Sequence, residues 1–273
     1  MSTTTFTAEL PRARFPRLRS PRLVNAELLK LRKRRGLVAA TVALTVLPML
    51  VAYTLMTIMH AVEPAKHGPA GGASNFAGSL NLLGALVLVA SVLVGATVGT
   101  GDLGAGVFRE LVVVGRSRLM LFAARVPAGL GFLLIPVGIA FGISAAAATL
   151  LNGTLDPPGM RLLLDSGGWL TLVATLGFAV SLGVSSLIGS RGTAIGVLLG
   201  WLLVAMPILQ SVHMLGGLRE GLVGSAVERL EPAAVLGGPP HVPMSLAAAV
   251  VVAAAWAVVP LALGAWRTKT RDA

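Results

Sequence analysis

Residues Ser79 to Gly101 read SLNLLGALVLVASVLVGATVGTG, 23 residues without an Asp, Glu, Lys or Arg, and the next residue is Asp102. A helix of about 20 apolar residues crosses the roughly 30 Å hydrocarbon core of a bilayer, and a charge at its centre costs about 2.5–3.5 kcal/mol on insertion scales. This stretch therefore predicts a membrane-spanning helix. Five more stretches share the property: Gly36 to Met59, Val126 to Leu151, Ser166 to Ser190, Gly192 to Leu218 and Val242 to Trp266. All 22 basic and 11 acidic residues lie outside the six. The composition, 55% hydrophobic and 12% charged, agrees with an all-α integral membrane protein of six transmembrane helices.

The charges between the stretches are sorted by sign. The residues before Gly36, the Asp102 to Arg125 segment, Arg191 and the residues after Trp266 together hold 18 basic and five acidic residues. The other three gaps hold four basic residues (Lys66, Arg161, Arg219, Arg229) and six acidic ones. Basic residues stay on the cytoplasmic side, so both termini are expected inside. The overall +11 charge is explained by this sorting, and nucleic-acid binding is not expected. With no cysteine, disulfides, thiolate metal ligands and a cysteine nucleophile are excluded. Arginine outnumbers lysine 18 to 4, which together with the Ala, Val and Gly content suggests a GC-rich bacterial gene and a bacterial cell membrane.

Residues 1–19, with Ser/Thr followed by Pro and Arg, lack apolar periodicity and are expected to be a disordered basic tail against anionic lipid. The apolar run that follows is too long for a cleavable signal, so it reads as an uncleaved anchor. Ser20-Pro21 has the form of a helix start. An amphipathic helix over residues 20–35 would set Val24, Leu28 and Leu31 on one side and Glu27, Lys30 and Arg34 on another, at the cytoplasmic interface. The transmembrane domain occupies residues 36–266 and a short cytoplasmic tail 267–273.

Between the second and third spans, Gly99-x-Gly101-x-x-Gly104 matches a dinucleotide fingerprint in form only, because it follows a transmembrane run rather than the strand of a βαβ unit. The segment instead predicts a short helix from about Ala105 to Val114, with Phe108, Leu111 and Val112 on one apolar face and Arg109 and Glu110 elsewhere. That face fits either a groove on a soluble partner or the membrane surface.

Two segments carry a family resemblance. Ala26-Glu27-Leu28-Leu29-Lys30-Leu31-Arg32-Lys33-Arg34-Arg35-Gly36, running into the first span, resembles the N-terminal signature of type-2 ABC exporter permeases. Asp102, Glu110, Gly115, Ser117 and Arg118, followed by Ala123-Ala124-Arg125-Val126, fall where that family's coupling loop has its acidic residue and its Gly-x-Ser-Arg; Val107-Phe108-Arg109-Glu110-Leu111-Val112 departs from the family's Thr-x-Arg-x-Leu-Leu. The resemblance implies an interfacial elbow helix carrying Glu27, Lys30 and Arg34. It also implies a cytoplasmic coupling helix at which Asp102, Phe108, Arg109, Glu110, Leu111, Arg116 and Arg118 meet an ATPase subunit. It implies further a second permease copy or homologue that completes the assembly, and ATP and Mg bound on the partner ATPase, with no cofactor held by this chain.

What is absent agrees. None of the four lysines follows a glycine, so the chain has no Gly-Lys-[Ser/Thr] of a P-loop. An ion-coupled carrier would place ionisable groups near the midplane, where the spans have none. His60, His67, His213 and His241 map to external loops without a metal-site spacing and read as solvated. A non-transporting scaffold or sensor is the other alternative. The uncharged interior suits a hydrophobic or amphipathic cargo such as an antibiotic, antimicrobial peptide or lipid-like molecule.

Small residues suggest how the helices pack. Gly192, Gly196 and Gly200, and likewise Gly138 and Gly142, make small-x-x-x-small ridges expected to pack within the bundle. Ser181, Ser185 and Ser186 read as small polar packing residues, and Pro48, Pro127, Pro136, Pro207 and Pro260 as bends. Leu218, Leu222, Ala226 and Leu230 predict one or two short external amphipathic helices.

Overall fold

The computed structural model describes residues 20–104 and 117–270, and the regular elements among them are all helical. Helix α1 is Ser20–Lys33, α2 Arg35–Val62, α3 Ala73–Gly104, α4 Arg118–Leu150, α5 Met160–Ile188 and α6 Arg191–Ser211. A 3-10 segment (His213–Gly221) and the short helices α7 (Val223–Arg229) and α8 (Ala233–Leu236) precede α9, Leu246–Thr270. Among the described residues, α2, α3, α4, α5, α6 and α9 are long and apolar enough to cross a membrane. Most extend beyond the uncharged runs, since a helix continues through charged flanks in the headgroup region.

The fifth span is shorter than expected, and the sixth keeps its expected length of 25 residues but is displaced four positions toward the C-terminus. The fifth ends at Ser211, where Val212 turns extended (ψ 96°), and Gly216 (φ 51°) kinks the 3-10 segment that follows. The sixth begins at Leu246, after Pro239, Pro240 and Pro243, where Ser245 Oγ accepts the Ala248 N–H at 3.1 Å as a helix cap.

The burial pattern is that of a protein dissolved in hydrocarbon. On α2 the buried residues recur every four: Leu37, Thr41, Thr45, Met49 and Tyr53. Leu47, Leu50, Val51, Leu55 and Ile58 are exposed on the other side. In water that aliphatic face would be an aggregation patch; in lipid it matches the solvent. The inward hydroxyls are satisfied, Thr41 Oγ1 on the Leu37 carbonyl and Thr45 Oγ1 on the Thr41 carbonyl at 2.8 Å each, with Tyr53 Oη and Ser79 Oγ 3.1 Å apart. On α9, Ala249, Ala253, Pro260, Gly264 and Thr268 face in, while Val250, Val258, Val259 and Leu263 face out.

Helices α3 and α5 form the centre: 67% and 56% of their most apolar windows are buried, against 17% for α2, α6 and α9. Lipid tails are as apolar as Leu, so close approach and cross-helix hydrogen bonds must hold this pair. Ser181 Oγ donates to the Val92 carbonyl at 2.9 Å, and Ser185 Oγ to the Gly95 carbonyl and Ser91 Oγ to the Ala174 carbonyl at 3.3 Å. A Cβ at Gly95 would lie 2.6 Å from the Ser181 Cβ, one at Gly84 2.5 Å from the Trp169 ring, and one at Gly99 would overlap Ser185 Oγ. These pairs advance together along both helices, so α3 and α5 are parallel. The packing role read for Ser181, Ser185 and Ser186 is therefore found: Ser186 bonds the Leu182 carbonyl of its own helix and is buried where Gly99 of α3 and Gly264 of α9 come close.

The glycine ridge of the fifth span does not pack in the bundle. A Cβ on Gly192, Gly196 or Gly200 would meet nothing within 4 Å, and the same holds for Gly138 and Gly142. The inner face of α6 is Ala194 and Leu198, two positions away from the glycines and so roughly opposite them on a helix of about 100° per residue. Backbone contact occurs instead between α5 and α9, where a Cβ on Gly183 would overlap the backbone of Pro260 and one on Gly264 would stand 3.0 Å from the Gly183 carbonyl oxygen.

Turn bonds fix which loops share an end. Gly71 and Gly72 (φ 94°) donate their N–H groups to the Leu151 and Ala148 carbonyls at 2.8 Å, and Ala73 N donates to the Asp156 carbonyl at 2.9 Å. The α2–α3 loop thus satisfies the carbonyls that end α4. At the other end, Leu23 of α1 packs with Leu121 and Ala124 of α4, and Arg118 Nη1 donates to the Lys269 carbonyl at 3.3 Å.

Candidate functional site

Among the described residues, two recesses gather several polar side chains. The first is at the basic end. The three residues read as the elbow face, Glu27, Lys30 and Arg34, line one small crevice with Gly101 of α3 and Arg125 of α4. Lys30 Nζ is 2.7 Å from Glu27 Oε1. Arg34 falls in the one-residue break between α1 and α2, with φ −80° and ψ 81°. Its guanidinium would be 3.4 Å from a Cβ on Gly101. Arg125, 3% exposed, faces the same crevice one turn and more inside α4.

Of the residues assigned to motor coupling, Arg118 opens α4 and Asp102 is in the last turn of α3. Phe108, Arg109, Glu110, Leu111 and Arg116, with the whole predicted helix Ala105 to Val114, lie outside the described residues, as does the tail 1–19.

The second place is a cavity of about 380 Å³ at the opposite end, between α3, α5, α6 and the α7–α9 segment. Its walls are built by three local causes. On α6, Pro207 has no N–H and its ring would strike the Leu203 carbonyl, so the helix widens into a π turn at Trp201–Ala205 in which the Met206 N–H bonds the Trp201 carbonyl five residues back. The widened turn sets Trp201 and Leu202 in the wall. Next, two indoles tie the segment between α6 and α9 down as a roof, Trp169 Nε1 donating to the Val227 carbonyl at 3.2 Å and Trp256 Nε1 to the Gly221 carbonyl at 2.9 Å. Finally, Gly224 lets α7 meet Met206, whose Sδ would be 2.5 Å from a Cβ there. The predicted external stripe is thus realised in part: Ala226 is fully buried, but Leu218, beyond the break at Gly216, is 77% exposed.

Two carboxylates, Glu228 and Glu231, line this cavity. Glu228 Oε1 accepts the His241 backbone N–H at 2.8 Å and faces the same residue's Nδ1. Glu231 Oε1 is buried and makes no hydrogen bond, and neither does the buried Trp201 Nε1. Among the described residues Ser166 Oγ is the third such side-chain atom, so two of the three belong to cavity residues. Burial, and then the nearby Glu228, push the Glu231 carboxyl up to about 7. His60 Nδ1 is 2.7 Å from the His67 carbonyl oxygen, and no group of three His, Asp or Glu able to hold a metal occurs among the described residues.

Glu228 and Glu231 flank Leu230 of the predicted amphipathic stripe, a position that by itself points to no site. A stronger signal was present: Asn81 and Gln210 are the only carboxamides inside the six uncharged stretches, and both line this cavity. A polar side chain inside a span is a functional pointer by default.

The raised Glu231 value has a measurable consequence. The folded chain holds a proton that the unfolded chain releases, so this contribution to stability is complete at acid pH and is lost as pH rises through about 7. The thermal midpoint in detergent is expected to fall from about pH 5 to about pH 8, with about 2–4 °C for each kcal/mol lost. Glu228 and His241 also line the cavity, and Arg229 Nε is turned to the Met244 carbonyl. Comparison with Glu231→Gln isolates the one group, and that variant should show a flatter pH profile.

No model of a known protein family matches this chain. No curated protein matches it.

Proposed function

We propose that this chain is the permease subunit of an ATP-driven exporter of the type-2 ABC class, seated in a bacterial cytoplasmic membrane with both termini inside. The observation that carries the reading is the gathering of Glu27, Lys30 and Arg34 with the end of α3 and the start of α4 at the basic end. An interfacial helix packed against the end of one span and the start of the next would make one platform for a soluble motor. Six uncharged spans and the missing P-loop support a passenger that uses ATP and Mg bound on a separate ATPase subunit. A second permease copy or homologue would complete the path, and the cargo is hydrophobic or amphipathic.

The test is co-expression with a P-loop ATPase encoded beside the gene. The two should co-purify with vanadate-sensitive ATP hydrolysis, and Lys30→Glu with Arg34→Glu should reduce co-purification at least about tenfold while membrane insertion is unchanged. Absence of both co-purification and hydrolysis overturns the reading.

A proton-coupled carrier is the second reading, and Glu231 favours it, since a carboxyl near 7 exchanges protons at physiological pH. Uptake or efflux driven by a pH gradient without ATP would select it.

A further inference from the structure

We infer that the cavity between α3, α5, α6 and α7 binds a hydrophobic cation, an amphipathic amine or onium group whose apolar body lies against Trp169, Leu176 and Trp201 and whose charge is met by Glu231. The inference rests on the exporter reading for its meaning as a substrate site.

Size and lining come first. About 380 Å³ is within the range of small-molecule pockets, which are mostly apolar with a few placed polar groups. Here Leu88, Val173, Leu176 and Val180 supply aliphatic wall, and Trp169 and Trp201 supply aromatic surface. The cavity's charged lining opposes an anion, while the His241 ring is taken up by Glu228 and the Trp201 indole N–H is the buried donor left without a partner among the described residues. Both lining acids are carboxylates, and no Lys or Arg is among the residues that line the cavity.

The two acids are not equivalent. His241 occupies Glu228 through its backbone N–H and its ring. Glu231 has an oxygen removed from solvent with no donor supplied by the described residues. Ionising a carboxyl there is costly while the cavity is empty, and an incoming ammonium or onium offsets that cost where a neutral or anionic guest does not. Indole faces attract the same class of guest by cation–π interaction, worth about 2 kcal/mol or more when desolvated. Trp201 is held for this by its ring stack on Trp256, centroids 6.1 Å apart. Asn81 and Gln210, on α3 and α6, add carbonyl oxygens able to accept N–H donors.

The experiment measures binding of tetraphenylphosphonium to the purified full chain in nanodiscs by equilibrium dialysis, with empty nanodiscs subtracted. Tetraphenylborate, the same shape with the opposite charge, is measured separately. Saturable binding of the cation is expected, at least about tenfold tighter than any binding of the anion, with Glu231→Gln about tenfold weaker and Glu231→Asp close to wild type. Equal binding of the two ions, or a correctly folded Glu231→Gln variant that binds the cation as wild type does, overturns the inference. If Glu231→Gln does not fold, the charge preference of the wild-type chain decides. Failure here with intact ATPase co-purification removes only the substrate class. Cation binding without a co-purifying ATPase leaves the site and removes the motor.

Discussion

Gly183→Leu is expected to lower the thermal midpoint of the detergent-purified protein by on the order of 10 °C and to broaden its gel-filtration peak. A Cβ on Gly183 would overlap the Pro260 carbonyl carbon and oxygen, and Gly264 faces back across the same contact. Overpacking typically costs about 1–3 kcal/mol when side chains can turn aside. Here the obstacle is backbone, so α5 and α9 must separate, and with them Leu176, Ala249 and Ala253, which pack in one cluster. Gly264→Leu should act in the same direction. Gly196→Leu is the contrast: its Cβ enters open space, and the midpoint should stay within about 2 °C of wild type. Equal losses at Gly183 and Gly196 would mean that the α5–α9 contact is not the close one.

That contrast marks where sequence stops being informative about packing. The glycines at 192, 196 and 200 form a clean four-residue repeat, yet they share the outer face of α6, while Gly183 has no glycine four residues away and makes the closest backbone approach. A small-residue ridge states only that a close approach is affordable on that side of a helix; which neighbour arrives depends on contacts more than 70 residues apart, as between Gly183 and Pro260. The spans themselves were legible because hydrocarbon imposes a local rule, some 20 residues without charge. Their ends were not, since Ser245 capping and the extended Val212 act beyond that rule. The same holds for the cavity: Asn81 and Gln210 stand out in a list of residues, but the convergence of α3, α5 and α6 on them does not.

Orientation is the property on which the proposed motor depends, and it yields the sharpest contrast to measure. The chain has no cysteine, so single introduced thiols report without background. The α2–α3 loop offers Lys66, whose side chain is 74% exposed, and the α4 entrance offers the exposed Ser117. Gly71, in the same loop as Lys66, is unsuitable, because a Cβ there would overlap the Asn152 backbone nitrogen and break the turn that ends α4. In intact cells a membrane-impermeant maleimide should label Lys66→Cys fully and Ser117→Cys only after permeabilisation. The bundle already sets these residues at opposite ends: the Lys66 loop is bonded to the end of α4, and Ser117 is at that helix's start, 33 helical residues away. One bilayer must therefore separate them if α4 spans it. Labelling of both in intact cells would deny that α4 crosses the membrane. The reversed pattern would put Glu27, Lys30 and Arg34 in the compartment without ATP, where no motor could use them.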